Sequence, residues 1–272
     1  MKNKIYLFLF AIIVCVIGVL TYEHSEFSAT ISVEIGDDQQ SLVQYSTLDA
    51  LLAGDYDGVT TLADLKKQGT LGIGTFDALN GEMVLYKDTV YQVKSSGEVV
   101  VPDDKTTTPF ACAVDFDPET KETVANVASY SQLKDVLNGY IKNPNLFYAF
   151  QVKGHFTKVH TRSVPAQDKP YKPLVEVVKH QPEFNFENID GVLVGFYCPA
   201  YVKGINVPGF HLHFLSDDKQ AGGHLLNVSF DEAEVSVDKI NAYKLILPDT
   251  ETFASESFDK DTEAETKAVE GS

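Results

Sequence analysis

The stretch Phe210-His211-Leu212-His213-Phe214, followed by Gly222-Gly223-His224, constrains this chain more than any other. Side chains alternate across a β-strand, so His211 and His213 project from one face while Phe210, Leu212 and Phe214 cover the other. The intervening residues 215–223 are polar and end in two glycines, the composition of a hairpin loop. His224 then opens a second apolar run, residues 224–230, beside the first. Three imidazoles from two paired strands describe a His₃ zinc site whose fourth position is open to water or substrate. Ordinary sheet histidines account for a lone His-x-His; a third histidine across a glycine hairpin favours the metal.

The rest of the chain bounds what such a site could serve. The net charge of −17 over 272 residues argues against nucleic acid or an anionic membrane surface as partner. An anionic substrate would need a local positive centre, a metal or a placed arginine. Lys2 and Lys4 precede the apolar residues 5–20, and small and polar residues follow, which is the pattern of an export signal. Sixteen apolar residues are also compatible with an uncleaved anchor, the one route by which this chain would touch a membrane. Residues 1–29 are therefore set apart, residues 30–248 are taken as the folded domain and residues 249–272 as an acidic tail. The folded part is expected outside the cytoplasm. Cys112 and Cys198 lie in apolar runs without a C-x-x-C motif. A disulfide and two buried thiols both remain open.

Periodicity gives a strand-rich, mixed α+β chain. Leu48, Leu51 and Leu52 stop at Gly54 and read as a short helix, as do residues 61–67 before Gly69. Short strands are expected at 70–76, 82–86, 89–93, 98–101 and 109–116, with turns at Asn80-Gly81 and Lys87-Asp88. Leu133, Val136, Leu137, Tyr140 and Ile141 share a helical face. The second half reads as strands at 146–153, 155–162, 191–198, 210–215, 224–230, 232–237 and 243–247, interrupted by a helix at 173–180. The acidic tail reads by default as a solvated terminus.

Several blocks together resemble the α-acetolactate decarboxylase family. They are Gly72-Ile73-Gly74-Thr75-Phe76, Leu79-Asn80-Gly81-Glu82-Met83, Pro109-Phe110-Ala111, Val159-His160-Thr161-Arg162-Ser163-Val164 and Gly191-Val192-Leu193-Val194-Gly195-Phe196, then the histidine block itself. The resemblance spans about residues 42–247. It implies an α/β fold with a mixed-sheet portion and a small β-barrel portion, dimeric, that converts 2-acetolactate to acetoin and carbon dioxide with zinc. It also implies roles for single residues. His211, His213 and His224 would hold the metal. Arg162 would clamp the substrate anion, Glu82 would act as acid or base, and Gly74 and Thr75 would contact the substrate through their backbone. A C-terminal glutamate near the zinc fits Glu270 by spacing, with Glu251 in competition. His155, His160 and His180 are left with structural roles.

Two other readings compete. A cupin also places His-x-His on a barrel strand, with Asp217 as its carboxylate, but its third histidine would come later in the chain. An exported metal-binding protein would close the site with a fourth ligand, whereas an open position beside Arg162 and Glu82 favours an enzyme.

Overall fold

Short apolar runs punctuated by turns build one sheet, and long alternating runs build another. This computed structural model describes residues 40–270. The expected signal or anchor at 1–29 lies outside the described residues. In chain order the strands are β1 (Ser41–Tyr45), β2 (Thr60–Thr61), β3 (Leu71–Thr75), β4 (Glu82–Tyr86), β5 (Thr89–Val93), β6 (Val99–Val100), β7 (Thr107–Thr108) and β8 (Ala111–Val114). The longer ones follow: β9 (Thr120–Val127), β10 (Phe147–Arg162), β11 (Glu183–Cys198), β12 (Gly209–Ser216) and β13 (Gly222–Ile240), and then the short β14 (Ala242–Ile246). The helices are α1 (Leu48–Ala53), α2 (Leu62–Leu65), α3 (Tyr130–Asn138), α4 (Leu174–Val177), α5 (Glu251–Ser255) and α6 (Glu263–Glu270).

The first sheet has seven strands in the order β14-β1-β8-β3-β4-β5-β6. It is mixed, because β1 and β14 run parallel while its other ladders are antiparallel. Lys87 and Asp88 both take positive φ, 50° and 63°, as the tight turn between β4 and β5 requires. The second sheet is β10-β11-β12-β13-β9, and β13 also pairs with β10. Its ladders therefore run from β10 through β11, β12 and β13 back to β10.

Local chemistry sets the ends of the helices, and α1 stops at Gly54 as its sequence suggests. The Thr47 hydroxyl accepts from the Ala50 N–H to start α1, and Gly54 at φ 96° ends it in the left-handed region. Ser129 caps α3 by accepting from the Gln132 N–H.

Some elements differ from expectation. The strands expected at 146–153 and 155–162 are one continuous β10, and those at 224–230 and 232–237 are one β13. Gly154 is not a break: a Cβ there would lie 2.9 Å from the Ala233 Cβ, so it marks close strand approach. Strand β9 and the first half of β11 went unrecognised because their residues are mostly polar and exposed.

The core forms between the sheets as well as within them. Val192, Val194 and Phe196 of β11 pack into a cluster with Leu48, Ile73, Val84 and Phe110 of the first sheet and α1. Leu212 and Phe214 of β12 turn to the other side, into a cluster with Phe156, Phe230 and Leu133 of α3. Burying both sets fixes the register of β12, since a slip by one residue would exchange its faces. Cys112 and Cys198 are buried free thiols.

The tail is solvent-exposed along most of its length, as its composition suggests, but it is ordered and docks at its end. Within it α5 (Glu251–Ser255) and α6 (Glu263–Glu270) form, and Val269 is buried in the shared core. Lys203 pairs with Asp261 at 2.7 Å and with Glu263 at 3.1 Å, and the Thr262 hydroxyl donates to Asp49 at 2.7 Å. Among the described residues no helix is long and apolar enough to cross a membrane.

Candidate active site

The histidine cluster sits where β12 of the second sheet meets β4 of the first. His213 and His224 are direct partners across the β12–β13 ladder, and His211 stands two residues from His213 on the same face. The His211 Nε2 lies 3.1 Å from both His213 Nε2 and His224 Nδ1. One ring nitrogen from each falls within 4.8 Å of the others, a spacing one ion could bridge. The Met83 carbonyl lies 2.8 Å from His213 Nδ1. A carbonyl only accepts, so Nδ1 carries the proton and Nε2 turns its lone pair to the cluster.

Burial keeps the three rings neutral, the form in which imidazole binds a metal. His211 is pushed down to about 3 by burial and the nearby Arg162 charge. His213 and His224 are held well below the usual range, first by burial. The donor set therefore fits a divalent ion.

Two carboxylates face the histidines. Glu82 begins β4 directly after Gly81, which takes φ 90°. The Thr75 hydroxyl donates to the Gly81 carbonyl at 2.8 Å and holds that turn. A Glu82 oxygen then lies 3.7 Å from His213 Nε2. From the opposite end of the chain, a Glu270 oxygen lies 3.7 Å from His211 Nε2 and 3.8 Å from His224 Nε2. Burial pushes both carboxyls up to about 7, and in each case the Arg162 charge opposes the rise.

Arg162 ends β10, buried to 3% exposure. Its Nη1 donates to the Gln181 side-chain oxygen at 2.7 Å, while its Nε has no partner among the described residues. A buried donor left unpaired is costly, and a bound anion would satisfy it.

Every residue expected at the site lines one cavity: Gly74, Thr75, Glu82, Arg162, His211, His213, His224 and Glu270. Gly74 permits the close approach of β8, since a Cβ there would lie 2.4 Å from the Phe110 carbonyl oxygen. Glu251 is exposed on α5 and takes no part. His155 pairs with Asp190 and His160 with Glu183, away from the cluster. Asp217, the carboxylate a cupin reading needs, is not among the grouped ligands.

Sequence reasoning missed the Met83 carbonyl, Gln181 and an apolar wall that includes Leu48, Leu79, Leu174 and Val269. A backbone carbonyl leaves no trace in residue type. The leucines read only as core.

The model of the α-acetolactate decarboxylase family matches residues 42–260. The chain belongs to this family. It is 45% identical over 213 residues to the α-acetolactate decarboxylase of Brevibacillus brevis, covering 78% of this chain and 75% of that one. The solved α-acetolactate decarboxylase of Bacillus subtilis superposes with a TM-score of 0.82 at 36% identity, covering 85% of this chain and all of that one. A Staphylococcus aureus structure described as similar to α-acetolactate decarboxylase reaches a TM-score of 0.79 at 29% identity, over 83% of this chain and 97% of that one. The family match stops at residue 260. Within this α-acetolactate decarboxylase family member, Glu270 therefore stands at the site on geometry.

Proposed function

We propose that this chain decarboxylates 2-acetolactate to acetoin and carbon dioxide, with zinc held by His211, His213 and His224. The observation that carries the reading is the convergence of three neutral imidazoles, one arginine with a free buried donor and two buried carboxyls on one cavity. Family membership supplies the substrate. His211, His213 and His224 would hold the metal, which when bound would supply Lewis acidity to stabilise the negative charge that develops as CO₂ leaves.

The protein's own groups do the rest. Arg162 Nε, with no partner among the described residues, donates to the substrate carboxylate and holds the C–C bond to be broken in place. As that bond breaks, its electron pair moves onto the neighbouring ketone to leave an enediolate, and CO₂ departs. A carboxyl proton from Glu82 or Glu270 then reaches carbon. Burial favours the protonated form of both, and Glu270 also shields the cavity from water. Gly74 and Thr75 border the substrate on the β3 side.

Export from the cytoplasm and assembly as a homodimer complete the proposal. The basic and apolar residues 2–20 support the first, and the family resemblance supports the second. The test is to incubate purified protein with racemic acetolactate and measure acetoin and CO₂. Full activity after exhaustive chelation, or no acetoin from metal-loaded protein, would overturn the proposal.

A further inference from the structure

Arg162 is the sole cationic side chain lining the cavity among the described residues, and what touches it is unusual. A buried arginine ordinarily meets a carboxylate. Here no carboxylate oxygen lies within ion-pair distance of it among the described residues, and its Nη1 donates to an uncharged amide oxygen on Gln181. The nearest available acid on the facing strand is Glu183, the cross-strand partner of Arg162 on β11. Its carboxylate instead bonds His160 at 2.8 Å.

We infer that Gln181 is a positioning residue for the substrate anion, orienting the Arg162 guanidinium through a neutral acceptor. It leaves the charge of the guanidinium uncancelled and its Nε free. The amide must present oxygen, because Nη1 is a donor and a donor cannot face it. A glutamate here would also accept the hydrogen bond, but it would form an ion pair and compete with the substrate for the same fork.

The backbone holds Gln181 for this task. Residues Val178–His180 form a tight 3₁₀ turn, and the Gln181 N–H donates back to the Val178 carbonyl at 3.3 Å. The next carbonyl, on Pro182, accepts from the N–H of Ser163 at 3.1 Å, immediately after Arg162. The amide and the guanidinium thus spring from two backbones tied together one residue away from each. Leu174, on α4 just upstream, is buried and lines the same cavity, so one segment supplies an apolar wall and the arginine's support.

This inference rests on the proposed role of Arg162 in anion binding, and two readouts separate their fates. Gln181→Met and Gln181→Glu are compared with the unaltered protein in acetoin formation and in calorimetric binding of 2-hydroxy-2-methylpropanoate, an unreactive hydroxy acid. Loss of a hydrogen bond to a charged group predicts about a tenfold rise in KM and weaker anion binding for Gln181→Met. The Glu variant keeps the acceptor, yet its charge predicts a larger loss, about a hundredfold. Zinc content and melting temperature should stay unchanged in both, and kcat should move less than KM. Wild-type affinity in Gln181→Met, or a Glu variant no weaker than the Met variant, would overturn the inference. If the unaltered protein binds the hydroxy acid but forms no acetoin, the functional proposal fails. The Gln181 inference is then judged on binding alone. A Met variant that does not fold leaves Gln181→Glu, nearly identical in shape, to decide on the same readouts.

Discussion

Arg162 and His224 stand directly opposite each other on β10 and β13, and they do so because the ladder shifts register between His160 and Thr161. His160 pairs with Asn227, Thr161 with Leu225 and Arg162 with His224, so Leu226 is the extra residue of a β-bulge. Bulges re-aim side chains beside active sites. Without this one, Arg162 would face one position further along β13, and the guanidinium would leave the histidine cluster.

Gly223, next to His224 on β13, packs against the Arg162 backbone and can be tested alone. It takes φ +127°, and a Cβ would lie 2.4 Å from the Arg162 carbonyl oxygen. Gly223→Ala should cost about 1–3 kcal/mol of stability, the range for a strained backbone position. Denaturant unfolding checks this. Acetoin formation should fall with it, as Arg162 and His224 move apart, and a variant with wild-type stability and rate would refute the account.

Metal content follows from the three histidines. Purified protein should carry about one zinc per chain by elemental analysis, as a His₃ site predicts. The His211→Ala/His213→Ala double variant should lose nearly all of it while β12 keeps Leu212 and Phe214 in the core. Near-full retention of metal by that variant removes the assignment.

The role of Arg162 depends on its fork, not only its charge. Both Arg162→Lys and Arg162→Ala should lose at least about a hundredfold in activity with zinc retained, as for a lost positioning group. An active alanine variant would take Arg162 out of the site.

Truncation after Asp261 separates the docked tail from a passive one. It removes α6, and with it the buried Val269 and the Glu270 carboxyl that faces His211. Metal binding and circular dichroism should persist while turnover falls by at least about a hundredfold, the usual contribution of an acid or base. Glu270→Gln should reproduce much of that loss. Full-length rates in the truncated protein would reduce the tail to packing.

A pH dependence of stability is expected away from the site. Asp238 is fully buried, accepts from the Asp117 N–H at 3.1 Å and has one oxygen with no partner among the described residues. Burial raises its carboxyl to about 6. A pKa raised in the folded state means the folded protein holds this proton more tightly than the unfolded chain does. The stabilisation is full below about pH 4 and fades as pH rises through 6. Asp238→Asn should therefore gain on the native protein between pH 4 and 7, by on the order of 2 kcal/mol. Parallel unfolding curves at the two pH values with no relative change would contradict this.

Local pattern alone made much of this protein legible. The period of two in Phe210–Phe214, the glycine pair before His224 and the Asn80-Gly81 turn before Glu82 each record a constraint between near neighbours. Such constraints place the three histidines on one face and Glu82 at a strand start. The family was legible only through the resemblance of several ordered blocks, from Gly72-Ile73-Gly74 to the histidine block, to a known family. The polar β9 and the first half of β11 escaped because nothing in their own composition marks them; they are strands because β13 and β10 offer them partners.

What only the tertiary structure decided are the relationships between distant segments. Packing the two sheets against each other brought the Met83 carbonyl to His213, and with it the tautomer that turns Nε2 inward. The bulge set Arg162 against His224, and Gln181 met the guanidinium across 19 residues of chain. Glu251 and Glu270 are alike as residues in an acidic tail, yet one is exposed and the other faces the histidines because Val269 found a place in the core. Adjacent residues encode periodicity and turns. Which carboxylate reaches a buried site depends on burial summed over the whole core, and no short stretch of sequence contains that sum.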